Sequence, residues 1–127
     1  MYKSKSIKMI PTSFILDVYV TDDTSTLSEV FELLYGADDD FIASLHPDLC
    51  ITFDTDADSL RKGDIAFVII LKDLNPSIVA HETFHLLWHM EKIIGIEVRD
   101  ESQEWCALFH EYIISKILEP DDYVQES

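Results

Sequence analysis

The sequence predicts an α+β domain in which a sheet of about three strands packs on two long helices in the second half of the chain. Two observations carry that expectation. Three short runs rich in β-branched and aromatic residues lie at 13–20, 50–55 and 65–71, and two longer stretches, 76–94 and about 100–118, have apolar residues at helical spacing with recognisable starts and stops. At 127 residues the chain is expected to be a single domain spanning 1–127, with 1–12 and 119–127 as flexible ends.

Each element has its own physical reason. From Ser13 to Val20, Phe14, Leu16, Val18 and Val20 alternate with Asp17 and Tyr19, the period of a strand with one buried face. Thr21 to Thr24 supply turn and capping chemistry, and Leu27, Val30, Phe31 and Leu34 then mark a short amphipathic helix that Gly36 stops. Ala37 to Asp48 is acidic, and His46-Pro47 breaks any regular element, so the segment reads as a loop with one helical turn. Cys50 to Thr55 reads as a second strand, Asp54 to Lys62 as a polar connection ending at Gly63-Asp64, and Ile65 to Leu71 as a third strand.

Asn75-Pro76 is a helix start, with Asn75 as cap and Pro76 where its missing amide donor costs nothing. The helix runs from Pro76 to about Ile94, and Gly95 ends it in a left-handed conformation. Asp100 and Gln103 form a capping pair for the next helix. Its apolar positions Trp105, Leu108, Phe109, Tyr112, Ile113 and Ile117 continue to about Leu118, and Pro120 closes it.

Composition narrows the function. The formal net charge of -16 and a pI near 4.3 make the surface repel phosphate backbones and anionic lipid, which argues against nucleic acid and membranes as partners. Cys50 and Cys106 are far apart and outside any Cys-x-x-Cys pairing, which points to a reducing, cytoplasmic compartment. Lys3, Lys5 and Lys8 precede an apolar stretch that Pro11, Thr12, Ser13 and Asp17 interrupt, so the N-terminus reads as unprocessed.

The chemistry concentrates in His81-Glu82-Thr83-Phe84-His85. Two histidines four apart on a helix point the same way and can reach one metal ion, while Glu82 flanks the same face and is placed to act on water at the metal. Hydrolytic zinc needs a third protein ligand and an open position. The helix carries the chain about 15 Å beyond His85, and the extended turn Ile96 to Asp100 covers a similar distance on the way back. That places the first turn of the last helix, with Glu104, beside His85; Glu101 and Glu111 are the competitors, and Ala107 leaves room for close approach at Glu104. His89 is rotated about 80° from His81 and reads as a surface or supporting histidine, and His110 is expected on the far side of the last helix.

With these residues, Leu86-Leu87-Trp88 and Glu104-Trp105-Cys106-Ala107, the segment from Ile65 to Ile114 resembles the minimal gluzincin-type metallopeptidases. The likeness is strongest to the small zinc peptidases of tailed bacteriophages and their prophages. The resemblance implies a zincin-like fold, Zn2+ on His81, His85 and Glu104, and Glu82 as catalytic base toward a peptide or protein substrate. It also implies that the strand Ile65 to Leu71 is a sheet edge along which an extended peptide pairs, and it allows a location in the host cytoplasm or a phage particle. One departure is that larger gluzincins use a further tyrosine or histidine to steady the oxyanion, a role for which Tyr112, His89 and His110 are candidates here. The alternatives are a zinc-binding structural or phage-assembly protein without turnover, and a metal-free helical pair on a small sheet.

Overall fold

The computed structural model describes residues 1–10, 12–54, 65–95 and 102–126. In chain order these form strand β1 (Tyr2–Lys8), strand β2 (Ile15–Val20), a 3-10 turn (Thr24–Leu27), helices α1 (Ser28–Tyr35) and α2 (Asp39–Ala43), and strands β3 (Leu49–Asp54) and β4 (Ile65–Leu71). Helices α3 (Pro76–Ile94) and α4 (Gln103–Leu118) and strand β5 (Val124–Glu126) complete the order. The described strands make one mixed sheet of five, ordered β3-β4-β2-β1-β5, in which β2 and β4 are parallel and the other neighbours antiparallel.

The chain is α+β, as the sequence predicts, but the sheet has five strands rather than about three. The two additions lie in the segments expected to be flexible ends. In β1 only Lys5 and Ile7 turn fully inward, while Ser6 and Lys8 face out. A strand whose inward positions include a lysine carries almost no apolar alternation to read. The edge prediction also changes: β4 is interior, paired with β2 on one side and β3 on the other, and the edges among the described strands are β3 and β5.

The interior place of β4 explains its unbroken run of apolar residues. Phe67, Ile69 and Leu71 face a core shared with Val79, Leu86 and Met90 of α3 and Phe109, Ile113 and Ile117 of α4. Ala66, Val68 and Ile70 face a second core with Leu27, Phe31 and Tyr35 around α1. A strand buried on both faces loses the alternation of a half-exposed one. The sheet is therefore the middle of three layers, with α1 on one face and the α3–α4 hairpin on the other.

Local signals hold α3 where the sequence places it. The Asn75 side chain accepts from the Ser77 amide at 2.9 Å, Pro76 occupies the first turn, and Gly95 closes the helix at φ 73° with its amide donating to the Glu91 carbonyl. Gly36 closes α1 in the same left-handed way. The turn in the acidic segment is α2, capped by Asp38, whose carboxylate accepts from the Phe41 amide. The capping role expected of Asp100 and the Gly63-Asp64 turn lie outside the described residues.

Candidate metal centre

Helix α3 buries Val79, Glu82, Thr83, Leu86 and Met90 and exposes His81, Phe84, His85 and Trp88. The site lies on the boundary between those faces. Four-residue spacing brings the two imidazoles over one another, with ring centres 4.8 Å apart and Nε2 to Nε2 at 3.1 Å. Two nitrogens at this separation either share a proton or aim both lone pairs at one cation. Tetrahedral zinc with ordinary zinc–nitrogen bonds holds two ligand nitrogens about 3.3 Å apart, so the pair is already near the span that one ion needs.

Glu82 completes the group. Its Oε2 lies 3.8 Å from His81 Nε2, and one donor atom from each of His81, Glu82 and His85 falls within 4.8 Å of the others. The two residues of that ion pair differ in exposure, His81 being 65% exposed at its side chain and Glu82 only 6%. Burial raises the Glu82 pKa; His85 and His81 pull it back, Asp48 raises it and His46 lowers it. Among the described residues Glu82 accepts no hydrogen bond.

The two flanks of α3 are covered by different elements. On one, His110 Nε2 of α4 lies 3.4 Å from the Ala80 carbonyl. On the other, His89 Nδ1 lies 3.4 Å from Thr52 Oγ1 of β3 and takes part in a hydrogen bond with the Cys50 backbone. At 100° per residue, Ala80 and His89 stand about 180° apart on the helix, and His85 is about 140° from Ala80 but only about 40° from His89. His81 is about 100° from Ala80 and about 80° from His89, so the histidine pair leans toward the β3 flank.

No family model, curated protein or solved structure matches the chain. The centre is read from its own donors.

Among the described residues the group with metal-binding spacing consists of His81, Glu82 and His85. Glu104 is not part of it and stands exposed in the first turn of α4. Glu111 is likewise exposed on α4, and Glu101 lies outside the described residues. His110 contacts α3 through the Ala80 carbonyl rather than pointing away. Tyr112 donates toward the Lys8 carbonyl of β1 at 3.4 Å, and His89 is half-buried against β3 with its pKa lowered, chiefly by burial. The residues with electrostatic influence on Glu82 that the sequence reading passed over are His46 and Asp48, just before β3. Their signal was present only as a helix-breaking His-Pro step.

Cys50 and Cys106 are buried free thiols, and burial, with the Glu82 charge beside it, pushes the Cys50 pKa up. No described helix is long and apolar enough to cross a membrane.

Proposed function

We propose that the His81–Glu82–His85 centre binds zinc and hydrolyses peptide bonds. The observation that carries this reading is the arrangement of two exposed imidazole nitrogens 3.1 Å apart beside a buried carboxylate. Two imidazoles suit zinc better than calcium or magnesium, which prefer oxygen shells. Bound zinc supplies Lewis acidity, bringing the pKa of a coordinated water from about 16 to about 7 and polarising a carbonyl.

The chain's own residues do the rest. His81 and His85 offer their Nε2 lone pairs from exposed rings, where a substrate carbonyl can approach. Glu82 is the proton carrier: its raised pKa makes it a better base than a solvent carboxylate, and it returns the proton to the leaving amine. An extended peptide fits the free edge of β3, which flanks α3 on the histidine side.

The test compares wild type with Glu82→Gln on an unstructured protein, with zinc content measured in both. Equal zinc with cleavage reduced at least about a hundredfold supports the proposal, in the range expected of a lost general base. Equal cleavage in the two proteins rejects it. Stoichiometric zinc with no turnover in wild type leaves the alternative of a structural or phage-assembly zinc protein.

A further inference from the structure

We infer that the third protein ligand of this centre is His46, delivered by the loop between α2 and β3, and not a carboxylate of α4. The inference rests on the zinc reading above and concerns the source of the ligand. It begins with the direction in which the histidines face. His85 lies about 40° around the helix from His89, the residue that touches β3, and about 140° from Ala80, the residue that touches α4. His81 stands about 100° from Ala80 and about 80° from His89, so the pair as a whole leans toward β3, and a ligand that closes a shell on it is best supplied from that side.

Height along the helix then selects the segment. Leu49 pairs with Ile70 near the end of β4, close to where α3 begins, and Thr52 meets His89 further along, so β3 and α3 run in the same sense. Three residues of strand, from Thr52 back to Leu49, cover about 10 Å. The same distance along a helix is six to seven residues at about 1.5 Å each, which leads from His89 back to Glu82 and Thr83. The residues just before Leu49 therefore come level with His81 and Glu82.

Two side chains there can ligate, and their partners separate them. The Asp48 carboxylate already accepts the Lys72 amide at 3.1 Å, and its backbone is held at φ 63°, which fixes it to the turn after β4. His46 is exposed, and its Nδ1 lies 2.9 Å from the Pro47 carbonyl. With Nδ1 donating to a backbone oxygen, Nε2 keeps its lone pair, the arrangement that metal-ligating histidines adopt. The His46 ring lies outside the three-residue group, so ligation draws this exposed loop toward α3.

The experiment titrates zinc against a competing chelator in wild type, His46→Ala and Glu104→Ala, with cobalt(II) absorption as a report on ligand number and far-UV circular dichroism as a check on folding. His46→Ala is expected to weaken zinc at least about 100-fold, the upper end of what a lost supporting hydrogen bond costs, and to lower the cobalt d–d absorption. Glu104→Ala is expected to stay within about threefold of wild type. Wild-type zinc binding with His46→Ala unchanged overturns the His46 assignment and leaves the zinc reading standing, and a large loss in Glu104→Ala overturns it in favour of α4. Absence of zinc binding in wild type overturns both.

Discussion

Among the described residues two charged side chains are buried, Lys5 of β1 and Glu82 of α3, and they are treated in opposite ways. Lys5 is fully partnered. Its ammonium donates to the Lys116 carbonyl at 2.5 Å and the Glu119 carbonyl at 2.6 Å, and it stands 4.2 Å from the ring centre of Tyr123. Those carbonyls belong to the C-terminal end of α4, where the helix leaves acceptors without internal partners and where its dipole favours a cation. Glu82, as deeply buried, accepts no hydrogen bond among the described residues; its nearest charged or polar company is the imidazole pair of His81 and His85. A buried charge that is satisfied holds the structure together, whereas one without hydrogen bonds costs stability.

The contrast is broken most directly at Lys5. Lys5→Met keeps the length of the side chain but leaves two helix-terminal carbonyls without their cation, at a cost of about 3 kcal/mol. Thermal unfolding should show a fall in Tm of roughly 12 °C, because about 4 °C accompanies each kcal/mol in a domain of this size. A change of a degree or less would place Lys5 among the dispensable surface lysines.

Glu82→Gln should do the reverse in metal-free protein. The Glu82 pKa is raised in the fold, so the folded state holds that proton more tightly than the unfolded chain does. The corresponding stability is fully present below the ordinary carboxylate range and is lost as pH rises through the raised pKa. At neutral pH the ionised carboxylate opposes folding, and replacing it with the neutral amide should stabilise by about 1 kcal/mol, raising Tm by roughly 4 °C. The gain should vanish at pH 3 to 4, where wild-type Glu82 is protonated. Unfolding curves of the apo proteins across that pH range decide the matter, and a stabilisation independent of pH would assign the effect to packing instead. The smallest change, Asn75→Ala, removes the cap of the helix that carries Glu82 and should cost about 1 kcal/mol without altering the pH profile.

The helix bearing the centre was legible in detail because its signals are local. Asn75, Pro76 and Gly95 act within a turn of the helix they bound, and four-residue spacing alone brings His81 over His85. Strands β1 and β5 were not legible. Lys5 takes a core position in β1 only because the carbonyls at the end of α4 arrive to meet it from 111 and 114 residues away. Read in isolation, β1 is a polar segment.

The placing of elements on the two flanks of α3 had the same dependence. Which flank α4 covers depends on packing: Phe109, Ile113 and Ile117 dock on the face of the sheet beside α3, while β3 takes the other flank. The sequence by itself determined the helix, its ends and the pairing of two imidazoles with a carboxylate, because spacing along one helix is local geometry. The tertiary structure decided the burial of Glu82, the interior place of β4 and the flank toward which the histidines open, because each depends on contacts between segments distant in the chain.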